Sequence, residues 1–219
     1  MDRITDAFAW PLRDPEWLTK LLIIALTLLL PIIGAINGLG WMLASLDLLR
    51  SGEERLAPAN LRYIGRGFRL FVVNLVFFLA VVAVAALIYV PAVIVAANQS
   101  QGQANPALVS LAILLSFLAF SVATLGFLAL NFLMPSIVLA TDRGGIRGGL
   151  HVKEVLRAAR ANISNTLIAG LMLIAASFVG SLGLVACGVG ILFTTAYALA
   201  MQAWIVWSFE EGSTAAKAA

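Results

Sequence analysis

Four uncharged amides, Asn37, Asn74, Asn131 and Gln202, stand inside otherwise apolar sequence. Each both donates and accepts, so together they are candidates to line a polar pocket for a lipid headgroup or small polar solute. In apolar surroundings the ordinary role of such a group is a hydrogen bond between helices. Counted from the basic ends of their segments, all four fall in the half nearest the positively charged loops. Asp47 stands three residues before Arg50, the spacing of a helical ion pair. No acidic residue lies deeper, which counts against a proton-driven carrier, whose coupling groups are ionisable and intramembrane. His151 and Cys187 are each single, so an intramolecular disulfide and paired-ligand zinc spacings are excluded. The paired acids, the histidine–glutamate motif and the buried serine–histidine pair of known proteolytic chemistries do not occur either. No catalytic residue, metal or cofactor is therefore expected, and the chain reads as a non-enzyme. Asn98-Gln99-Ser100 and Asn162-Ile163-Ser164 match the glycosylation pattern, a tripeptide common by chance.

The elements that hold these side chains are set by charge distribution. Of 219 residues, 62% are hydrophobic and 11% charged, against about 25% charged in globular domains; the mean hydropathy is +1.00. Three runs carry no Asp, Glu, Lys or Arg: Leu21 to Leu46, Leu70 to Thr141 and Ala161 to Phe209. A run beyond about 18 apolar residues is a candidate membrane span. The expected fold is all-α: one membrane-embedded domain over residues 1–219, a polytopic transmembrane helical bundle of five spans, with six as the alternative.

Residues 1–19 read as an interfacial segment. Ile4, Phe8 and Trp10 line one side of a short helix ended by Pro11, and Trp10 and Trp17 suit the aromatic belt at a bilayer surface. Asp14-Pro15-Glu16 is a helix-start signal. Leu21 to Leu49 would make a helix of roughly 43 Å, too long for one straight crossing and too short for two. Pro31, Gly34, Gly38 and Gly40 lie at its middle. The reading taken is one long kinked helix, with a re-entrant hairpin turning within Pro31–Gly40 as the alternative. Residues 50–69 and 142–160 read as basic amphipathic interfacial segments: Arg62, Arg66 and Arg69 recur at helical spacing in the first, and Lys153, Arg157 and Arg160 in the second, which opens with a flexible Gly144–Gly149 stretch. Two long spans, about Leu70–Ala97 and Leu108–Ala140, flank an uncharged turn at Asn98–Pro106. Ala161–Phe209 supplies two more spans joined at Gly180–Gly190. Trp204 and Trp207 mark the last interface, and 210–219 form a polar, disordered tail. Pairs of small residues four apart, Gly34 and Gly38, Ala176 and Gly180, Ala196 and Ala200, permit close helix approach within the monomer.

Ten of the fourteen Lys and Arg residues fall in the two basic segments, five in each. The positive-inside rule places both segments, and with them the C-terminus, in the cytoplasm of a multi-pass cell-membrane protein. A single first helix would put the N-terminus outside; a hairpin would put it inside with its own three basic residues. The same six cations, Arg62, Arg66, Arg69, Lys153, Arg157 and Arg160, are candidate contacts for anionic lipid headgroups. Nucleic acid is not an expected partner, because no basic–aromatic interleaving or binding module is present. A homo-oligomer or a membrane-protein partner remains open.

Trp17…Lys20, Pro31-Ile32-Ile33-Gly34…Gly40-Trp41, Asp47…Arg50-Ser51-Gly52…Pro58 and Gly65/Gly67 resemble the first half of a family of uncharacterised prokaryotic integral membrane proteins, a domain of unknown function. Val155-Leu156…Arg160-Ala161-Asn162…Asn165 and Gly183…Cys187-Gly188-Val189-Gly190…Phe193…Tyr197 are similar to its second half. The family more often carries Tyr at the position of Trp41 and a more acidic, Trp-containing stretch after that of Pro58. The resemblance implies a polytopic prokaryotic membrane protein and brings no activity or catalytic residue. The expected function is a non-catalytic scaffold, accessory subunit or lipid-organising protein; the alternative is a transporter or permease component for a small or lipidic solute.

Overall fold

The computed structural model describes residues 2–99, 105–185 and 190–218, with the side chains of 2–4, 99 and 215–218 excepted. Among the described residues the chain is helical without strands: α1 (Asp2–Ala9), a 3-10 turn (Trp10–Arg13), α2 (Trp17–Leu28), α3 (Pro31–Arg50), α4 (Ile64–Gln99), α5 (Pro106–Leu150), α6 (Val152–Ala161), α7 (Ile163–Leu182) and α8 (Gly190–Ala218). Five of these, α3, α4, α5, α7 and α8, are long and apolar enough to cross a membrane, the make-up of a multi-pass membrane protein. α2, at 12 residues, is about 18 Å long and falls short.

The first apolar segment is not one kinked helix. Pro31 has no N–H, and its ring would strike the Thr27 carbonyl if α2 continued. That carbonyl instead accepts from the Leu30 N–H at 3.0 Å, Leu30 becomes extended (φ −87°, ψ 100°) and Pro31 opens α3. The two helices fold sharply onto each other: a Cβ on Gly34 would lie 2.1 Å from the Thr27 carbonyl oxygen, and one on Gly38 would meet Leu28 and Leu199. The segment is thus two helices that turn back on each other at Leu29–Leu30, just ahead of the place given to the hairpin alternative, and of the two only α3 has the length and apolarity of a span.

An irregular segment after α3 is tied down by side chains, as backbone beside apolar helices must be. Trp41 Nε1 donates to the Ala57 carbonyl (2.9 Å), Ser45 Oγ accepts from the Ala57 N–H (3.1 Å), and Asn37 Nδ2 donates to the Asn60 carbonyl (2.9 Å). Asp14, 1% exposed, does more than start a helix. Its carboxylate accepts from Glu16 N–H, Leu56 N–H and Lys20 Nζ, each at 2.8 Å, and Lys20 also donates to the Leu56 carbonyl.

Three other expectations are corrected. The 62–69 stretch is not a separate interfacial helix: α4 runs unbroken from Ile64 through the start of the charge-free run, since no proline or positive-φ glycine interrupts it there. α5 runs past the expected end near Ala140 to Gly145 (φ 62°, ψ −156°), where two helices meet at a kink within the expected glycine stretch. The chain beyond Glu210 is the end of α8, not a loose tail. The tryptophan assignments change as well. Trp10 is fully buried with its Nε1 donating to the Ala200 carbonyl at 3.2 Å, and Trp204 is 5% exposed.

α6 is a separate helix, with Val155 and Ala159 buried and Lys153, Arg157 and Arg160 exposed. α7 and α8 pack through small residues: Ala176, Ala196 and Ala200 are fully buried, and Gly180 faces Ala198. Asn162 caps α7 by accepting from the Asn165 N–H, a structural use of one glycosylation-like tripeptide. The expected turns at Asn98–Pro106 and Gly180–Gly190, Cys187 included, lie partly outside the described residues.

The chain divides into two compact units, one of Met1–Val73 with Asn131–Ala219 and one of Asn74–Leu130. In the second, Phe78 and Phe127 approach with ring centroids 5.4 Å apart and Val81 packs on Gly126. Its outward side chains, such as Leu87 and Phe117, are apolar and largely exposed, a surface suited to lipid.

Within the first unit, Gly67 and Gly40 set the approach of α4 to α3. A Cβ on Gly67 would sit 1.8 Å from the Ile36 carbonyl oxygen, whereas one on Gly65 meets nothing within 4 Å. Gly67→Ala is expected to destabilise the detergent-solubilised protein by about 1–3 kcal/mol or more, the cost of overpacking. Gly65→Ala should leave its thermal midpoint unchanged or slightly raised.

Candidate functional site

Each charge-free run ends on an acid: Asp47 after Leu46, Asp142 after Thr141 and Glu210 after Phe209. The fold brings all three together with Arg50, Arg66 and Arg143. Arg50 reaches Asp142 and Glu210, each at 2.8 Å, and Asp47 at 3.2 Å. Arg66 contacts Asp142 at 2.6 Å and also pairs with Asp47. Arg143 pairs with Glu210 at 2.5 Å. Three carboxylates and three guanidiniums make a neutral cluster joining α3, α4, α5 and α8. The Asp142 side chain is 10% exposed and that of Glu210 20%, so these contacts are shielded more than ordinary surface pairs. The expected Asp47–Arg50 pair is present, but as one edge of this network. Asp142, Arg143 and Glu210 are members the sequence reading missed, although their shared place at the end of a charge-free run marks a common depth.

Beside the cluster is a cavity of about 560 Å³ between the end of α5, α6 and α8. Leu139 and Phe209 form part of its apolar wall; Arg143, Glu154, Arg157 and Glu210 supply charge. Ser136, 2% exposed, also lines it, and its hydroxyl has no hydrogen-bond partner among the described residues. A more open groove of about 590 Å³ runs along α6, lined by Lys153, Leu156, Arg157, Arg160 and Ala161. A smaller cavity of about 260 Å³ is lined by Leu43, Arg66, Arg69, Thr141 and Asp142.

The candidate amides are not gathered by any of these three cavities, whose linings include none of them. Asn37 is fully buried and bonded to Asn60 through Nδ2, with Oδ1 unpartnered among the described residues. Asn131 and Gln202 are half-buried on α5 and α8, and Asn74 belongs to the second unit. Of the basic candidates, Lys153, Arg157 and Arg160 share the α6 groove. Arg66 is instead committed to the ion cluster, Arg69 stands beside it, and Arg62 is exposed in the turn ahead of α4. His151 Nδ1 lies 2.9 Å from the Arg147 carbonyl oxygen, a local contact.

Two measurements probe this polar framework. Asp142→Asn leaves Arg50 and Arg66 short of an anion, and charge-assisted hydrogen bonds contribute about 1.5–3 kcal/mol each. The thermal midpoint in detergent should fall by several degrees, while Arg62→Gln should scarcely move it. Burial pushes the Asp14 carboxyl up, but hydrogen bonds from Lys20, Glu16 and Leu56 outweigh that and hold it below the usual carboxylate value. A depressed carboxyl contributes stability above its unfolded value of about 3.9. That contribution fades as pH falls through the still lower folded value. Unfolding scans in acid should show this loss for the native chain, and Asp14→Ala should remove the difference.

The family model described as "Protein of unknown function (DUF4013)" matches residues 23–189. No curated protein and no solved structure matches the chain. The matched stretch runs from within α2 through α7, taking in the Pro31 turn, the Gly40–Gly67 contact and five of the six charges in the cluster. Glu210 and the α8 side of the cavity lie beyond it. With most of its length matched, the chain belongs to the DUF4013 family.

Proposed function

We propose that this protein is a non-catalytic, multi-pass component of the cell membrane that gathers anionic lipid at its cytoplasmic face, acting as a scaffold or accessory subunit. The observation that carries the reading is α6. Its apolar residues Val155 and Ala159 are buried, while Lys153, Arg157 and Arg160 stand exposed around the adjoining groove. An interfacial helix with a basic face is a lipid-headgroup surface. These cations also differ from Arg50, Arg66 and Arg143, whose charge is neutralised within the ion cluster. Solute passage would call for a cavity reaching Asn37 and Asn131, and the cavities described here are lined by neither.

The same reading orients the chain. Arg13 pairs with Glu54 at 2.7 Å, and Asp14 and Lys20 bond to Leu56. The N-terminal segment therefore shares a side with the loop after α3, and α2 with α3 acts as a hairpin that enters and leaves on that side. Both termini are then cytoplasmic, and the basic N-terminal residues obey the positive-inside rule.

Replacing Lys153, Arg157 and Arg160 together by Gln should weaken retention of phosphatidylglycerol roughly a hundredfold, at about 1 kcal/mol per basic residue near an anionic surface. Mass spectrometry of lipids co-purified in mild detergent measures this, and unchanged retention would sink the proposal. For orientation, cysteines are introduced singly as Glu16→Cys and Ser100→Cys in a Cys187→Ala background. An impermeant thiol reagent added to intact cells should label only the one at Ser100; labelling at Glu16 would reverse the N-terminus.

A further inference from the structure

The cavity between α5, α6 and α8 has chemistry distinct from the basic groove. Four charged side chains line it, two of each sign, and Arg143 and Glu210 already neutralise each other at 2.5 Å. Glu154 and Arg157 remain. They sit three residues apart on α6, so they share a side of the helix, and among the described residues neither makes an ion pair. The site thus offers one open anion and one open cation next to each other. A purely anionic headgroup would meet two carboxylates there. A ligand carrying both a phosphate and a protonated amine matches both open groups.

The rest of the lining points to a lipid. Leu139 and Phe209 give the cavity an apolar wall, which a free, soluble zwitterion would leave uncovered. Ser136 lies six residues before Asp142 on α5, about 9 Å further along the helix toward the apolar run. Its hydroxyl is buried and without a partner among the described residues, whereas the neighbouring Ser213 and Thr214 hydroxyls donate to carbonyls of α8 itself, at 2.8 and 2.9 Å. An unspent buried donor below a charged rim suits a glycerol-ester oxygen. The volume of about 560 Å³ falls within the roughly 300–1,000 Å³ usual for small-molecule sites.

We propose that this cavity is a headgroup site for an amine-bearing zwitterionic phospholipid of the phosphatidylethanolamine class. The phosphate lies against Arg157, the ammonium donates to Glu154, and the ester region reaches Ser136. The site shares the membrane setting and Arg157 with the functional reading above, and Glu154 and Ser136 set it apart from the anionic groove. A trimethylated headgroup has no N–H to give Glu154, so phosphatidylcholine is the discriminating competitor.

The test reconstitutes the full chain into nanodiscs of equal phosphatidylethanolamine, phosphatidylcholine and phosphatidylglycerol, then measures lipids retained after extraction by native mass spectrometry. The native chain should favour phosphatidylethanolamine over phosphatidylcholine about tenfold, the effect of one charge-assisted hydrogen bond. Glu154→Gln should bring that ratio close to one, and Arg157→Gln should lower retention of both. Lys153→Gln should reduce phosphatidylglycerol and leave the ratio alone, which separates failure of this site from failure of the groove. Ala158→Phe, which fills the cavity without changing charge, should displace both zwitterionic lipids from a chain that still elutes as folded protein. Equal retention in the native chain overturns the assignment, as does a preference that survives Glu154→Gln. Displacement of the lipid by soluble phosphoethanolamine at low concentration would assign the site to a free headgroup and overturn the lipid.

Discussion

The neutral cluster of Asp47, Arg50, Arg66, Asp142, Arg143 and Glu210 is the constraint on which the first compact unit depends. It draws its charges from four largely apolar helices, and no pair within it is complete alone. Arg50 needs Asp142 and Glu210, and Asp142 holds both Arg50 and Arg66. Apolar helices in lipid gain little by merely touching, because lipid tails are as apolar as they are. A polar junction at one level supplies the register that greasy surfaces leave undetermined. It also fixes the walls of the cavity beside it, since Arg143 and Glu210 belong to both.

The N-terminal third solves a different problem, that of irregular backbone beside membrane helices. The chain from Ser51 to Tyr63 has no helix of its own, so its peptide groups need partners from elsewhere. Trp41, Ser45, Asn37, Asp14 and Lys20 provide them. Two of these, Lys20 and Trp41, are among the residues that carry the family resemblance, and their work is structural. Gly40 and Gly67 then let the start of α4 lie against α3 at backbone distance. What looked like a scatter of Gly, Pro and Trp is one packed assembly that seats a loop.

Much of this was legible in the residues, because charge-free runs and basic segments reflect the cost of charge in hydrocarbon. The five long helices, the α7–α8 pair and the basic face of α6 follow from that cost. The departures come from contacts that composition does not encode. Trp10 resembles a belt residue until its partner, the Ala200 carbonyl nearly two hundred positions away, is known. Residues 62–69 have amphipathic spacing, yet Arg66 turns to Asp47 and Asp142 in place of lipid, and α4 simply continues. Of the candidate site, the α6 cations were readable and the cavity was not. Its walls come from three helices, and Glu154 and Ser136 gain meaning only from lacking partners there.

Glu210 also gives the molecule an order of completion. It is the last of the six charges to leave the ribosome, well after Asp47, Arg50, Arg66, Asp142 and Arg143. Until α8 docks, the partial cluster holds three guanidiniums against two carboxylates, an excess cation at the rim of nascent apolar helices. Seating the final helix cancels that charge and closes the cavity wall in the same movement. Charge balance in the cluster and the α8 wall of the cavity thereby rest on one and the same carboxylate.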